Sequence, residues 1–337
     1  MNLTTRYMGL SLSSPFVVGS SPMGHDLDLV KRLEDAGAAA IVMPSIFEEQ
    51  ITREEMGTFR DIEWPAESFA EAISYFPSPP SFKLGPDSYL DRIRRAKEAV
   101  GIPVIGSLNG STSSGWLQYA GLIKEAGADA LEMNVYFLAT GPDDTCSEVE
   151  ERTIEIVRGV KAATGIPLSV KLSPFFSSLP HLASRIAESG AAGLVLFNRF
   201  LQPDIDIDAL EVEPRISLSD SSELLLRLRW LAILSGRIDA DLACSGGVHS
   251  VDDAVKAVMA GASIVQMVSA LLKNGPEHVQ EVREGFSRWL DDHEYDSLEQ
   301  MRGSMSHSRC PSPEAFERAN YVRVLQGWRR SLDWSTF

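Results

Sequence analysis

Four times along this chain a stretch with helical apolar spacing ends in a glycine and gives way to a short, nearly unbroken apolar run. The segments are EDAGAAAIVM (34–43), KEAGADALEM (124–133), AESGAAGLVL (187–196) and VMAGASIVQM (258–267). In each, the glycine at 37, 127, 190 or 261 suits the left-handed position that closes a helix. The five or six residues that follow carry too few polar side chains for a strand with one wet face, so they read as strands buried on both sides. The repeated unit is helix then strand.

Two more strands follow GIP turns, at GIPVIGSL (101–108) and GIPLSVKL (165–172), where proline stops the preceding helix and β-branched residues take over. PFVVGS (15–20) and DADLACSGG (239–247) bring the count to eight. Helical patterns lie between them at 26–36, 148–164, 221–236 and 251–260. Strict alternation predicts a parallel sheet, and eight repeats predict an α/β fold closed as a (β/α)8 TIM barrel. The barrel is expected over 1–290 as one domain. Residues 291–337 are read as a C-terminal helical extension, with Phe316, Tyr321, Val324 and Leu325 as a face that packs on the barrel or on a partner subunit.

Three segments exceed the minimal barrel. Residues 1–14 alternate around Met8 and Gly9 and read as a hairpin plugging the barrel floor. Residues 45–85, rich in Pro, Phe, Tyr and Trp, form a loop after strand 2 far longer than the usual ~2–6 residues. Such a loop at the catalytic end reads as a lid or substrate wall. The connection Asn198 to Asp220 is expected to contribute to the same mouth.

Composition narrows the function classes. A formal charge of −16 and no basic stripe interleaved with aromatics argue against a nucleic-acid partner. No apolar run reaches the ~20 residues of a membrane span, and the N-terminus lacks signal-peptide features, so a cytoplasmic enzyme is expected. Cys146, Cys244 and Cys310 are too scattered for a disulfide framework or an iron–sulfur cluster, and the six histidines show no metal-ligand spacing.

In a barrel the residue after each strand points into one cup. These ends are Gly19-Ser20-Ser21, Met43-Pro44-Ser45, Ser107 to Gly110, Asn134 to Phe137, Lys171-Leu172-Ser173, Asn198-Arg199, Ser245 to Val248 and Met267-Val268-Ser269. They are polar and Gly-rich, with Glu132 as the one nearby carboxylate, read as pointing elsewhere. That set disfavours glycosidase, two-metal and lyase or isomerase chemistry. Gly246 and Gly247 before a helix, with Ser269 after the next strand, match the place where barrels grip phosphate with backbone N–H groups; the bland alternative is a tight turn. Lys171 ends an otherwise apolar strand, so either its ammonium meets an anion such as a reduced flavin or it snorkels from the rim. Asn109, Asn134 and Asn198 offer amide groups for a planar heterocycle, or satisfy loop backbone.

Taken together, SSPF, ALEMN, SVKLSPFF, SGGVHSVDDA and AGASIVQMVSALLKNGP resemble the dihydroorotate dehydrogenase family, in its class 1 branch, over residues 3 to 290. The resemblance implies an FMN-dependent oxidoreductase acting on a CH–CH bond, a small cyclic substrate and a homodimer. It implies that Gly19, Ser20 and Ser21 contact flavin, that Asn109 and Asn134 flank the ring, and that Lys171 faces its pyrimidine edge. Gly246, Gly247 and Ser269 would hold the phosphate, and Asn134 and Asn198 the substrate. The substrate side departs from the family: its flavin-adjacent lysine falls on Met43, a substrate asparagine on Lys83, the Cys or Ser base on Phe137 and the asparagine after it on Ala139. Tyr136, Lys83 and Ser114 are the replacement candidates for proton transfer, with Lys83 also a substrate contact. Cys146 is set aside because it opens the next helix. A non-redox barrel binding FMN or a phosphorylated metabolite stays open. So does the electron acceptor, an iron–sulfur partner subunit included.

Overall fold

The computed structural model describes residues 1–48, 86–110, 112–135, 137–199, 202–215 and 217–317. In chain order the strands are β1 (Thr5–Tyr7), β2 (Leu10–Leu12), β3 (Phe16–Val18), β4 (Ala40–Val42), β5 (Ile46–Phe47), β6 (Val104–Asn109) and β7 (Ala130–Asn134). They continue as β8 (Leu168–Leu172), β9 (Gly193–Leu196), β10 (Gln202–Asp206), β11 (Glu211–Arg215), β12 (Asp241–Ser245) and β13 (Ile264–Met267). Hydrogen-bonded neighbours run β4, β3, β13, β12, β9, β8, β7, β6 and back to β4. Every pairing in that circle is parallel, from Val17 opposite Gln266 to Val42 opposite Ile105. The eight strands read from the apolar runs are thus the eight staves of a closed (β/α)8 barrel.

The surrounding helices are α1 (Leu27–Asp35), α2 (Pro86–Ala99), α3 (Ser113–Glu125), α4 (Cys146–Thr164), α5 (Leu179–Glu188), α6 (Leu224–Leu234), α7 (Val251–Ala260), α8 (Ser269–Asn274) and α9 (His278–Asp292), with a single turn α10 (Leu298–Met301). Their ends are written locally. Asp26 accepts from Asp28 N–H at 2.9 Å to open α1, and reciprocal caps link Thr145 with Glu148 and Ser250 with Asp253. The glycines of the four repeats, 37, 127, 190 and 261, all have positive φ, between +94° and +124°.

Strand alternation divides the core in two. Phe16, Val18, Ile41, Leu108, Leu131, Met133, Val170, Leu194, Val265 and their neighbours face the helices. Inside the barrel, Val17, Ala40, Val42, Ile105, Ala130, Val195, Ala243 and Ile264 close around Tyr7, Met8 and Leu12 from the β1–β2 hairpin. That hairpin is the floor plug expected from residues 1–14. Two residues further toward the C-terminal end, the inward positions change character: Ser107, Glu132, Ser245 and Gln266 replace Ile105, Ala130, Ala243 and Ile264, all of them buried. The polar residues therefore sit as a layer on top of an apolar floor, below the mouth.

Of the segments beyond the barrel, most of the loop after β4 lies outside the described residues. The connection after β9 is an antiparallel hairpin, β10 with β11. Residues 293–317 run across α6 and α7: Gly303 N–H reaches Val258 O, Met305 N–H Met259 O and His307 N–H Ala232 O.

Candidate active site

At the centre of the polar layer lies a buried ion pair. Lys171 Nζ stands 3.1 Å from Glu132 Oε1 and 3.4 Å from Gln266 Oε1, and Gln266 Nε2 donates to Glu132 Oε2 at 2.5 Å. Glu132 is 1% exposed and Lys171 7%. The sequence reading pointed Glu132 elsewhere and sought the partner of Lys171 in a bound anion. The structure corrects this: Ala130, Glu132 and Asn134 share one parity on β7 and all face inward, so the protein supplies the anion itself. Burial and then the Glu132 charge push the phenol of Tyr7 upward from its ordinary range. Tyr89, whose hydroxyl bridges Ser107 N–H and O at 2.9 and 3.0 Å, is raised by burial and, to a lesser degree, by the same carboxylate.

Above the pair, Asn134 Nδ2 donates to Ser45 Oγ at 2.9 Å, Ser45 Oγ lies 2.7 Å from Ser107 Oγ, and Ser20 Oγ lies 3.2 Å from Ser45 Oγ. Among the described residues, Asn134 Oδ1 and Ser21 Oγ are buried with no hydrogen-bond partner. An orphaned buried carbonyl costs ~1–3 kcal/mol unless something donates to it, so Asn134 is poised to receive an N–H from a ligand. Asn109, at the tip of β6 opposite Phe47, is half-buried. Met43 does not enter the mouth; it is buried in the wall between strands and helices.

The third element is the pair of loops after β12 and β13. Gly246 and Gly247 have φ of +89° and +84°, and the N–H groups of Gly246, Gly247 and Val248 find no backbone acceptor among the described residues. A Cβ at Gly247 would stand 2.5 Å from Leu224 N, and one at Gly246 would stand 2.9 Å from Arg227 Nη2. Both glycines therefore have a packing reason as well as N–H donors without a backbone acceptor among the described residues. Ser269 Oγ accepts Ser219 N–H at 3.1 Å, which leaves its own proton to donate. Ser219 in turn holds His249 Nε2 at 3.1 Å through its hydroxyl and Lys273 Nζ at 2.8 Å through its carbonyl. Burial first, then the Lys273 ammonium, lowers the pKa of His249 below its usual value.

The remaining candidates lie around the rim. Asn198 N–H donates to Leu172 O at 2.8 Å, and its side chain lines a cavity of about 600 Å³ with Phe175, Phe197 and Arg199. A neighbouring cavity of about 560 Å³ is lined by Val135, Phe137, Ala139, Ser173 and Cys146. Phe137 lies partly buried there with the Arg152 guanidinium 5.0 Å from its ring centroid. Cys146 is exposed as the first residue of α4. Ser114 is exposed in the first turn of α3, its Oγ 3.2 Å from Thr112 Oγ1. Tyr136 and Lys83 lie outside the described residues. Residues assigned no role from the sequence are Ser45, Ser107, Gln266, Ser219, His249 and Lys273. Strand parity could have found Ser107 and Gln266, which share the inward face of Ile105 and Ile264.

A family model described as dihydroorotate dehydrogenase matches residues 83–290, from the approach to α2 to the end of the barrel. This chain belongs to the dihydroorotate dehydrogenase family. It is 28% identical over 309 residues to the catalytic subunit of dihydroorotate dehydrogenase B (NAD(+)) from Pyrococcus abyssi, covering 89% of this chain and 98% of that one. It is 23% identical over 380 residues to the NAD-dependent dihydropyrimidine dehydrogenase subunit PreA of Escherichia coli (strain K12), covering 99% of this chain and 88% of that one. A putative dihydroorotate dehydrogenase A (fumarate) from Aeropyrum pernix is 31% identical over 212 residues, 61% of this chain and 68% of its own. Among the described residues, no helix is long and apolar enough to cross a membrane.

Proposed function

We propose that this protein is an FMN-dependent oxidoreductase that passes hydride between flavin N5 and a CH–CH bond of dihydroorotate or a related small cyclic amide. The observation that carries the reading is the buried Oδ1 of Asn134, which has no partner among the described residues and stands next to Lys171 across the β7 and β8 ladder, two residues beyond Glu132. It asks for an N–H donor of the kind a flavin or a cyclic amide edge presents. The donors at Gly246, Gly247, Val248 and the Ser269 hydroxyl suit a phosphate at the other end of the same ligand. FMN has both ends, and the residues present fit it.

When bound, FMN supplies the two-electron chemistry. This chain's own part is to bind and orient. Gly19, Ser20 and Ser21 border the ligand at the end of β3, while Asn109 and Asn134 present amide edges. Gly246, Gly247 and Ser269 would hold the phosphate, Ser269 Oγ already accepting from Ser219 N–H and so keeping its own proton free to donate. Asn134 and Asn198 would contact the substrate. A proton at the substrate carbon has to be held by a group other than Phe137, and Tyr136, Lys83 and Ser114 are the candidates.

Phe137 also favours a second reading, a barrel that binds FMN without turning over dihydroorotate, because a phenyl ring takes up no proton. Anaerobic mixing of the FMN-loaded protein with dihydroorotate, and separately with a neutral dihydropyrimidine, tests both. Bleaching of the flavin by either compound supports the oxidoreductase. Reduction by dithionite but by neither compound moves the protein to the second reading.

A further inference from the structure

The layer below the mouth contains a charge that the proposed reaction does not use. Glu132 lies one layer below Asn134 on the same face of β7, almost fully buried, with both carboxylate oxygens engaged: Oε1 by Lys171 at 3.1 Å and Oε2 by Gln266 at 2.5 Å. Gln266 closes the triangle by accepting from Lys171 at 3.4 Å. Three strands, β7, β8 and β13, thus each contribute one side chain to a single desolvated cluster.

Such a cluster is expensive if its purpose is stability alone. Apolar residues of similar volume would fill the same space without the cost of desolvating two charges. The floor layer directly beneath, built on Ala130, Ala243 and Ile264, shows that this barrel can be filled that way. Among the described residues, the titratable groups besides Lys171 that feel the Glu132 charge are Tyr7 and Tyr89. Burial first, and then the Glu132 charge, raise the pKa of both phenols.

We infer that Glu132 is a positioning residue that fixes the Lys171 ammonium at the base of the cofactor site and cancels its net charge there, setting how strongly the site prefers reduced over oxidised flavin. The inference rests on the FMN reading above. Lys171 alone would present a full positive charge to a ligand that gains negative charge on two-electron reduction. With Glu132 in contact, the site presents an ion pair. At an effective dielectric of ~20, a unit charge within ~10 Å shifts an equilibrium between neutral and singly charged ligand by more than tenfold.

The test is the flavin midpoint potential of the FMN-loaded protein, measured by dye equilibration, with E132Q, K171M and the double variant. E132Q bares the ammonium and should favour reduced FMN at least tenfold, a rise of about 30 mV for two electrons. K171M leaves the carboxylate and should shift the potential the other way, and E132Q/K171M should return close to wild type. A purely structural role for the pair predicts no such opposition of sign. Equal potentials in wild type and E132Q, or shifts of the same sign in both single variants, overturn the inference while leaving FMN binding intact. A wild-type protein that takes up no FMN overturns the FMN reading and this inference with it. If E132Q does not fold, E132D keeps the charge but withdraws it from Nζ; it should shift the potential upward by at least twofold in the equilibrium, and no shift overturns the inference.

Discussion

Replacing Gly247 by alanine separates the two reasons for a glycine at the phosphate loop. Its φ is +84°, where an L-residue costs roughly 1–2 kcal/mol. The added Cβ would also lie 2.5 Å from Leu224 N and 2.8 Å from Leu224 Cα, backbone atoms at the start of α6 that have no rotamer to change. Overpacking of that kind costs about 1–3 kcal/mol. Gly247→Ala should therefore destabilise by about 2–5 kcal/mol in total. Gly9, in the floor hairpin, is the control: its φ is +82° and nothing lies within 4 Å of its built Cβ, so Gly9→Ala should lose only the conformational part. Urea denaturation followed by tryptophan fluorescence gives both values without added FMN. A Gly247→Ala loss within about 0.5 kcal/mol of the Gly9→Ala loss would show that the packing of this loop on α6 is wrong. So would a Gly247→Ala protein as stable as wild type.

Further expectations follow from the same geometry. Phe137→Cys restores a group that exchanges a proton at the position where the family carries its base, so anaerobic bleaching of bound flavin by dihydroorotate should gain ~10²-fold or more; an unchanged rate places the missing group elsewhere. His249 has a depressed pKa in the folded chain, so its neutral form is favoured there and its contribution to stability is present above pH ~6.5. That contribution is lost as the pH falls through the folded-state value. His249→Asn should flatten the fall in melting temperature between pH 7 and 5 relative to wild type, and an identical slope would refute the assignment. Lys171→Met leaves Glu132 buried and unpaired, which should cost about 3–5 kcal/mol in urea denaturation, with E132Q/K171M recovering most of it; a loss below about 1 kcal/mol would mean that the pair is not desolvated.

Much of the barrel was legible because its signals are local and repeated. A glycine at 37, 127, 190 or 261 ends a helix for the same reason each time, and the apolar run that follows has one place to go. The hairpin 202–215 was harder to see. Ile205, Ile207 and Val212 alternate with Asp and Glu as a strand requires, but these residues are 67%, 79% and 68% exposed, so no burial signal accompanies the period. Part of the candidate site was legible because glycines and asparagines at strand ends stand out in sequence. Glu132 was misplaced because its orientation depends on register: counting by twos from Ala130 turns it into the barrel, and only the closed sheet brings β13 and Gln266 to it. Ser45, Ser107 and Ser219 were given no role for a similar reason. Serine is common in loops, and what distinguishes these three is the neighbours that tertiary structure gives them.

The most direct measurement is the visible spectrum and the released cofactor of the purified protein. A yellow protein that gives up one FMN per chain on denaturation, and that binds FMN more tightly than riboflavin, is the predicted result. A colourless protein that takes up no FMN when the cofactor is added in excess would contradict it.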